Sequence, residues 1–325
     1  MRSFLLVLLV AIVMNVMARE SAAMPPEDVR ENKQGQAEDV DPLHRSRVTA
    51  AWKQSQWADI DPVPETMFSE YLLPQTSLGE RSVEWFPVLR PIAETLTRGS
   101  ATPLEAAMKL NRDLFKRVGV IYSTERDLPN QDPLHSIRIG KASCSGLSIL
   151  LADACRAVAI PARLVGCQWR KKTGNHTWVE VWSRGEWHTL GAAEAVPSDQ
   201  LWFLNDAAQA ISTDPKFAIY ATRRTFSGTV FYGWNVPADE ITARYARKNE
   251  SGAVTVYFAA EHKGKRVAVP FSINGTKYTT PGPEQDLNDY ATVSFPSNVV
   301  FTIEIIGEKK TYHATPNALF IEQIP

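Results

Sequence analysis

The chain has 325 residues, enough for two domains with sizeable cores, and its apolar and charged fractions are ordinary for a globular protein. A formal charge of −1 excludes a general attraction to nucleic acid or to an acidic membrane surface. Three cysteines, Cys144, Cys155 and Cys167, are too few and too odd in number for a disulfide scaffold. One bridge between Cys155 and Cys167 stays open, and it would leave Cys144 as the free thiol.

In chain order, Arg2 precedes an unbroken apolar run from Phe4 to Met14, with small residues at Ala18, Ala22 and Ala23. This order of basic, apolar and small residues predicts a signal peptide over residues 1–23, and hence an exported protein, periplasmic or secreted. An uncleaved anchor is the alternative, although a membrane span needs about 20 apolar residues. Residues 24–41, rich in Glu, Asp and Gln, are expected to form a flexible leader. The following stretch reads as mainly helical. Thr102-Pro103-Leu104-Glu105 marks a helix start, with a capping hydroxyl, a proline at the first helical position and an acid behind it. Tyr122 to Lys141, polar and with two prolines, reads as a long loop.

The clearest helix begins at Cys144. Leu147, Leu150, Leu151, Ala154, Cys155 and Val158 keep helical spacing, and Ile160-Pro161 stops it. Cys155 lies on that apolar stripe and, like Cys167 in the strand that follows, is expected in the core. Strands are predicted over about Arg163–Trp169 and His176–Trp182, with Ser183-Arg184-Gly185-Glu186 as a hairpin loop returning through Trp187–Gly191. In the second strand Thr177, Val179 and Val181 share one face, and His176, Trp178, Glu180 and Trp182 share the other. Residues 229–325 carry short β-branched and aromatic runs separated by turn clusters such as Asn274-Gly275, which predicts a β-sandwich domain. No catalytic constellation is expected there.

A thiol at a helix N-terminus benefits from the positive end of the helix dipole, and a nearby imidazole completes the chemistry of acyl transfer. Three segments then carry a resemblance: Gly140-Lys141-Ala142-Ser143-Cys144-Ser145-Gly146, Ala157-Val158-Ala159-Ile160-Pro161-Ala162-Arg163, and Asn175-His176-Thr177-Trp178-Val179-Glu180-Val181. In this order they resemble the transglutaminase-like superfamily over roughly Leu104 to Phe203. The resemblance implies a papain-like fold, a Cys-His-Asp triad, Cys144 as nucleophile and His176 as its base. It puts the acid after the strand containing His188, where this chain has Gly191. Pairing Trp182 with Trp187 and continuing the ladder sets His176 opposite Ala193, one step from Glu194, so Glu194 is the expected third member.

Other histidines, His135 and His188, are rival bases, and Gln131 is a candidate oxyanion donor. No zinc-ligand spacing and no Gly-x-Ser-x-Gly elbow is present, so neither metal nor cofactor is expected. The fold class is therefore α+β: a transglutaminase-like, papain-like core with a helical N-terminal extension over residues 42–228, followed by the β-sandwich. The expected activity is cysteine-dependent acyl transfer on peptide or side-chain amides, more readily hydrolysis than cross-linking because hydrolysis needs no second binding site. The partner is a peptide or protein substrate; the oligomeric state is left open. A catalytically inactive binding module is the alternative, supported by the absence of an acid at 191.

Overall fold

The computed structural model describes residues 40–245, 253–296, 299–314 and 318–325. The segments expected to be a signal peptide and most of a leader lie outside these residues. Among the described residues no helix is long and apolar enough to cross a membrane.

Helix α1 (Pro42–Lys53) starts on Asp41, whose carboxylate accepts from the amides of Leu43 and His44. A short turn, α2 (Glu65–Met67), precedes α3 (Phe86–Thr97) and α4 (Pro103–Val118). The predicted cap of α4 is present: the Thr102 hydroxyl accepts from Glu105 N at 3.1 Å, and the Glu105 carboxylate accepts from Ala101 N at 2.8 Å. The stretch expected to be loop contains a helix, α5 (Pro133–Ile139), framed by the parallel pair β1 (Ile121–Tyr122) and β2 (Lys141–Ala142). Asp132 caps it, Pro133 opens it and Gly140 ends it in the left-handed region. These local signals were outweighed by the polarity and prolines of the segment.

Helix α6 (Cys144–Ala157) is the centre of the core, buried at every position from Ser145 to Ala157. It packs on β3 (Ala162–Gln168) and β4 (Asn175–Ser183), the middle strands of a five-stranded sheet. The sheet runs in the order β5–β4–β3–β6–β7, with β5 (Glu186–Leu190), β6 (Tyr220–Thr222) and β7 (Ala238–Glu240), and every neighbour is antiparallel. Val179 and Val181 face the helices, while Trp178 joins a second cluster with Phe203 and Tyr245 on the opposite face. The sheet is covered on both sides, which is why β4 is buried almost throughout. The helix's own buried charge is answered locally: Arg156 donates to Asp153, Ser77 and the carbonyls of Tyr71 and Ala162. Removing one partner of such a pair costs roughly 3–5 kcal/mol.

After two short helices, α7 (Leu204–Ala207) and α8 (Thr242–Tyr245), the chain becomes β-rich. β8 (Ala253–His262), β9 (Lys265–Arg266), β12 (Ala291–Pro296) and β15 (Leu319–Gln323) form one sheet; β10 (Pro270–Ile273), β11 (Thr276–Thr279), β13 (Val300–Ile305) and β14 (Glu308–His313) form another. Phe258, Phe271, Phe301 and Ile303 from the two sheets meet in one apolar core. The expected join at residue 228 falls before β7 and α8, both of which contact the first sheet: β7 pairs with β6, and Tyr245 donates to Glu180.

Candidate active site

Cys144 occupies the first position of α6. Ser143 caps the helix by accepting from Gly146 N, and its own hydroxyl is held by the carbonyl of Pro129. The thiol is half-buried at the N-terminus of the helix. Cys155 and Cys167 are buried and free, so the optional bridge is not formed. Burial pushes the Cys155 thiol up to about 12 and the Cys167 thiol higher still, leaving both inert as nucleophiles.

His176 stands near the start of β4, only 4% exposed, within a wall of aromatic rings. Its ring lies 4.7 Å from Phe203, 4.9 Å from Trp202, 6.0 Å from Trp178 and 6.1 Å from Trp169, centroid to centroid. The carboxylate facing it is that of Asp286, from the loop between β11 and β12, with Nδ1 3.4 Å from Oδ2. Polar atoms of Cys144, His176 and Asp286 all lie within 4.8 Å of one another. The contact is wider than a tight hydrogen bond, as is common before substrate binds.

Several ties hold the Asp286 loop against the core. Asp286 Oδ1 accepts from Asn288 N at 2.8 Å and from Asn288 Nδ2 at 3.0 Å, and Nδ2 also donates to the Asn175 carbonyl at 2.8 Å. Leu287 N donates to the Tyr122 hydroxyl at 2.9 Å. Arg266 donates to the carbonyls of Asp286, Leu287 and Asp289. Lys172 bridges Asp206 and the Asn288 carbonyl at 2.6 and 3.0 Å. Gly174 makes the close approach possible: its φ is +102°, and a Cβ there would lie 2.1 Å from Asn288 Oδ1.

Burial is the largest influence on His176 and works against its charge, but the neighbouring Asp286 and Cys144 outweigh it and raise the imidazole to about 10. Asp286 is also opposed by burial, yet the charge of His176 and the donors of Asn288 hold it below the ordinary carboxylate range. Asp289 is pushed up to about 7 by burial and then by nearby Glu194.

Glu194, the expected third member, is placed differently. The pairing of β4 with β5 follows the predicted register from Ser183–Glu186 to Val179–Leu190, but ends there. Past Leu190 the chain turns, Ala193 takes a φ of 66°, and Ala193 N donates to Asn111. The extrapolation from His176 to Ala193 therefore has no ladder to follow. The Glu194 carboxylate folds back over Gly191, where a Cβ would lie 2.3 Å from its Oε2, and accepts from Trp202 Nε1 at 2.9 Å. It fills the space a side chain at 191 would take. Burial raises it, tempered by the charge of His176 and the indole donor. The two acids thus differ: their surroundings hold Asp286 below the ordinary carboxylate range and push Glu194 above it.

Other candidates are engaged elsewhere. Gln131 donates to the Ser136 hydroxyl and the Lys141 carbonyl and accepts from Asp127 N and Leu128 N, so its amide is engaged in bracing the loop. His135 pairs with Asp127 at 2.6 Å and His188 with Asp199 at 3.2 Å. Asp286 was missed because it lies beyond the resembling segment, in the region where no catalytic group was expected. No local pattern singles it out; Pro281-Gly282-Pro283 marks only a turn.

Residues 90–192 match the family model described as the transglutaminase-like superfamily. No curated protein matches the chain. Among solved structures, a candidate cysteine protease from Cytophaga hutchinsonii is similar at 17% identity over 47% of this chain and 44% of that one, with a TM-score of 0.33. The periplasmic domain of TgpA from Pseudomonas aeruginosa, bound to ethylmercury, is similar at 18% identity over 36% and 47% of the two chains, with a TM-score of 0.28. A TGase is similar at 15% identity over 49% and 43%, with a TM-score of 0.29. The chain spans less than half the length of each of these three structures.

Proposed function

We propose that this chain, which carries a transglutaminase-like segment over residues 90–192, is an exported cysteine-dependent enzyme that cleaves peptide or side-chain amide bonds. Cys144 is the nucleophile, His176 the acid–base group and Asp286 the carboxylate that orients the imidazole. The observation carrying this reading is the convergence of those three side chains within 4.8 Å. The apolar segment from Phe4 to Met14 supports export.

The Cys144 proton passes to His176 before substrate binds, in keeping with an imidazole raised to about 10, and the sulfur then forms a bond to the amide carbon. The imidazolium is the state Asp286 stabilises. In this mechanism the Cys144 backbone N–H, at the helix start, donates to the developing oxyanion. The C–N bond then breaks, the amine leaves with the proton from His176, and a thioester remains. Water attacks next, giving its proton to His176; the carbon–sulfur bond breaks and the sulfur returns to its place beside the protonated His176. An amine in place of water would give a new amide. Hydrolysis is favoured because it needs no second binding site. The inactive-module reading rested on the missing acid at 191, and a carboxylate from a distant loop supplies that charge.

Iodoacetamide should label Cys144 rapidly at neutral pH, and His176→Ala should slow the labelling. Equally slow labelling of both proteins would sink the enzyme reading.

A further inference from the structure

A cleft of about 610 Å³ opens where the β3–β4 turn and the Pro215–Phe217 turn meet the C-terminal sheet that carries β8 and β15. Such a volume is within the range of ligand sites, roughly 300–1,000 Å³. Its charge is one-sided. Arg170, Lys171 and Lys216 line it, are exposed, and make no ion pair with a described residue, while no carboxylate is among the lining residues. Lys172 also reaches the cleft but is neutralised by Asp206. The chain as a whole carries −1, so three cations in one concavity, none paired with a described residue, are a local concentration rather than a reflection of a basic protein. Trp169, Phe217 and Tyr290 supply apolar walls. Trp169 also stacks on the ring of His176 at 6.1 Å, so a single indole touches both cleft and imidazole.

We propose that this cleft takes the carboxylate-bearing stretch of an acidic peptide substrate and so selects which peptides reach Cys144. The inference rests on the amide-cleaving reading above. Arg and Lys heads pair with carboxylates, and flat rings cover the aliphatic parts of the side chains between them. The recess suits a flexible chain better than a broad membrane face, which cannot enter a concavity of this size.

The test uses the full chain carrying Cys144→Ala, so binding is read without turnover. A fluorescein-labelled oligo-glutamate peptide should bind by fluorescence anisotropy, more weakly as salt rises. A length-matched oligo-glutamine should not. Adding Lys171→Glu and Lys216→Glu should weaken oligo-glutamate binding about tenfold or more, since each reversal loses an attraction and adds a repulsion. Both positions are exposed and make no ion pair with a described residue, so an unchanged circular dichroism spectrum is expected. The proposal is overturned if the two reversals leave binding unchanged, if oligo-glutamine binds equally well, or if phosphatidylglycerol vesicles are captured through these lysines while the peptide is not. Failure here leaves the thiol labelling of the wild-type chain untouched, so the two readings are judged separately.

Discussion

Two carboxylates compete for the role beside His176, and their surroundings separate them. Asp286 faces the imidazole and is stabilised as an anion by His176 and the Asn288 donors; Glu194 is raised by burial and committed to Trp202. Asp286→Asn should therefore lower kcat by about 10²- to 10⁴-fold, the usual worth of a positioned acid–base group. Glu194→Gln keeps the acceptor for Trp202 and should leave kcat near wild type. Turnover of the two variants on one amide substrate decides between them; the reverse ranking would return the role to Glu194. Cys144 and His176 were legible in the sequence because each sits in a motif read along the backbone, a capped helix start and an alternating strand. The acid is a matter of space, and the register argument for Glu194 failed where the hairpin stopped pairing at Leu190.

Among elements, the β3–β4 turn matters beyond its length. It presents Gly174 to Asn288 and Lys172 to Asp206, so it is the seat on which the Asp286 loop rests. Gly174→Ala combines an unfavourable φ with a collision and should cost the docked loop about 1–3 kcal/mol. The expected result is faster hydrogen exchange at the Leu287 amide, which donates to Tyr122, together with reduced turnover. Unchanged exchange and turnover would show that the loop does not depend on this glycine. The elements flanking the site were largely readable: α4 by its cap, α6 by its stripe, and the hairpin by Arg184-Gly185, which take φ values of 53° and 84°. Helix α5 was not, because its capping signals are brief and its composition resembles loop.

For the molecule as a whole, the ion pair of His176 and Asp286 joins the core to the C-terminal strands, and its linkage to pH has a definite sign. The imidazole rises to about 10 on folding from an unfolded value of about 6.5, so the folded chain holds the extra proton between these limits. The stabilisation is fully present below about pH 6.5 and is lost as pH rises towards about 10. Asp286, lowered on folding, contributes above about pH 3.9 and loses that contribution as pH falls through its folded value. The gap in urea midpoint between wild type and His176→Gln should accordingly shrink from pH 6.5 to pH 10; a constant gap would mean the pair contributes nothing to cohesion.

The sequence by itself determined the helix that carries Cys144, the strand that carries His176, the α+β class and the β-rich C-terminal region, because capping, periodicity and turn chemistry act between neighbours along the chain. Only the tertiary structure decided which carboxylate faces the imidazole. Asp286 reaches His176 through the docking of one region on another, held by Arg266, Lys172, Asn288 and the space left by Gly174. Contacts between residues so far apart leave no periodic or local trace, and a carboxylate in a surface-like turn declares its role only when the fold buries it against a charge.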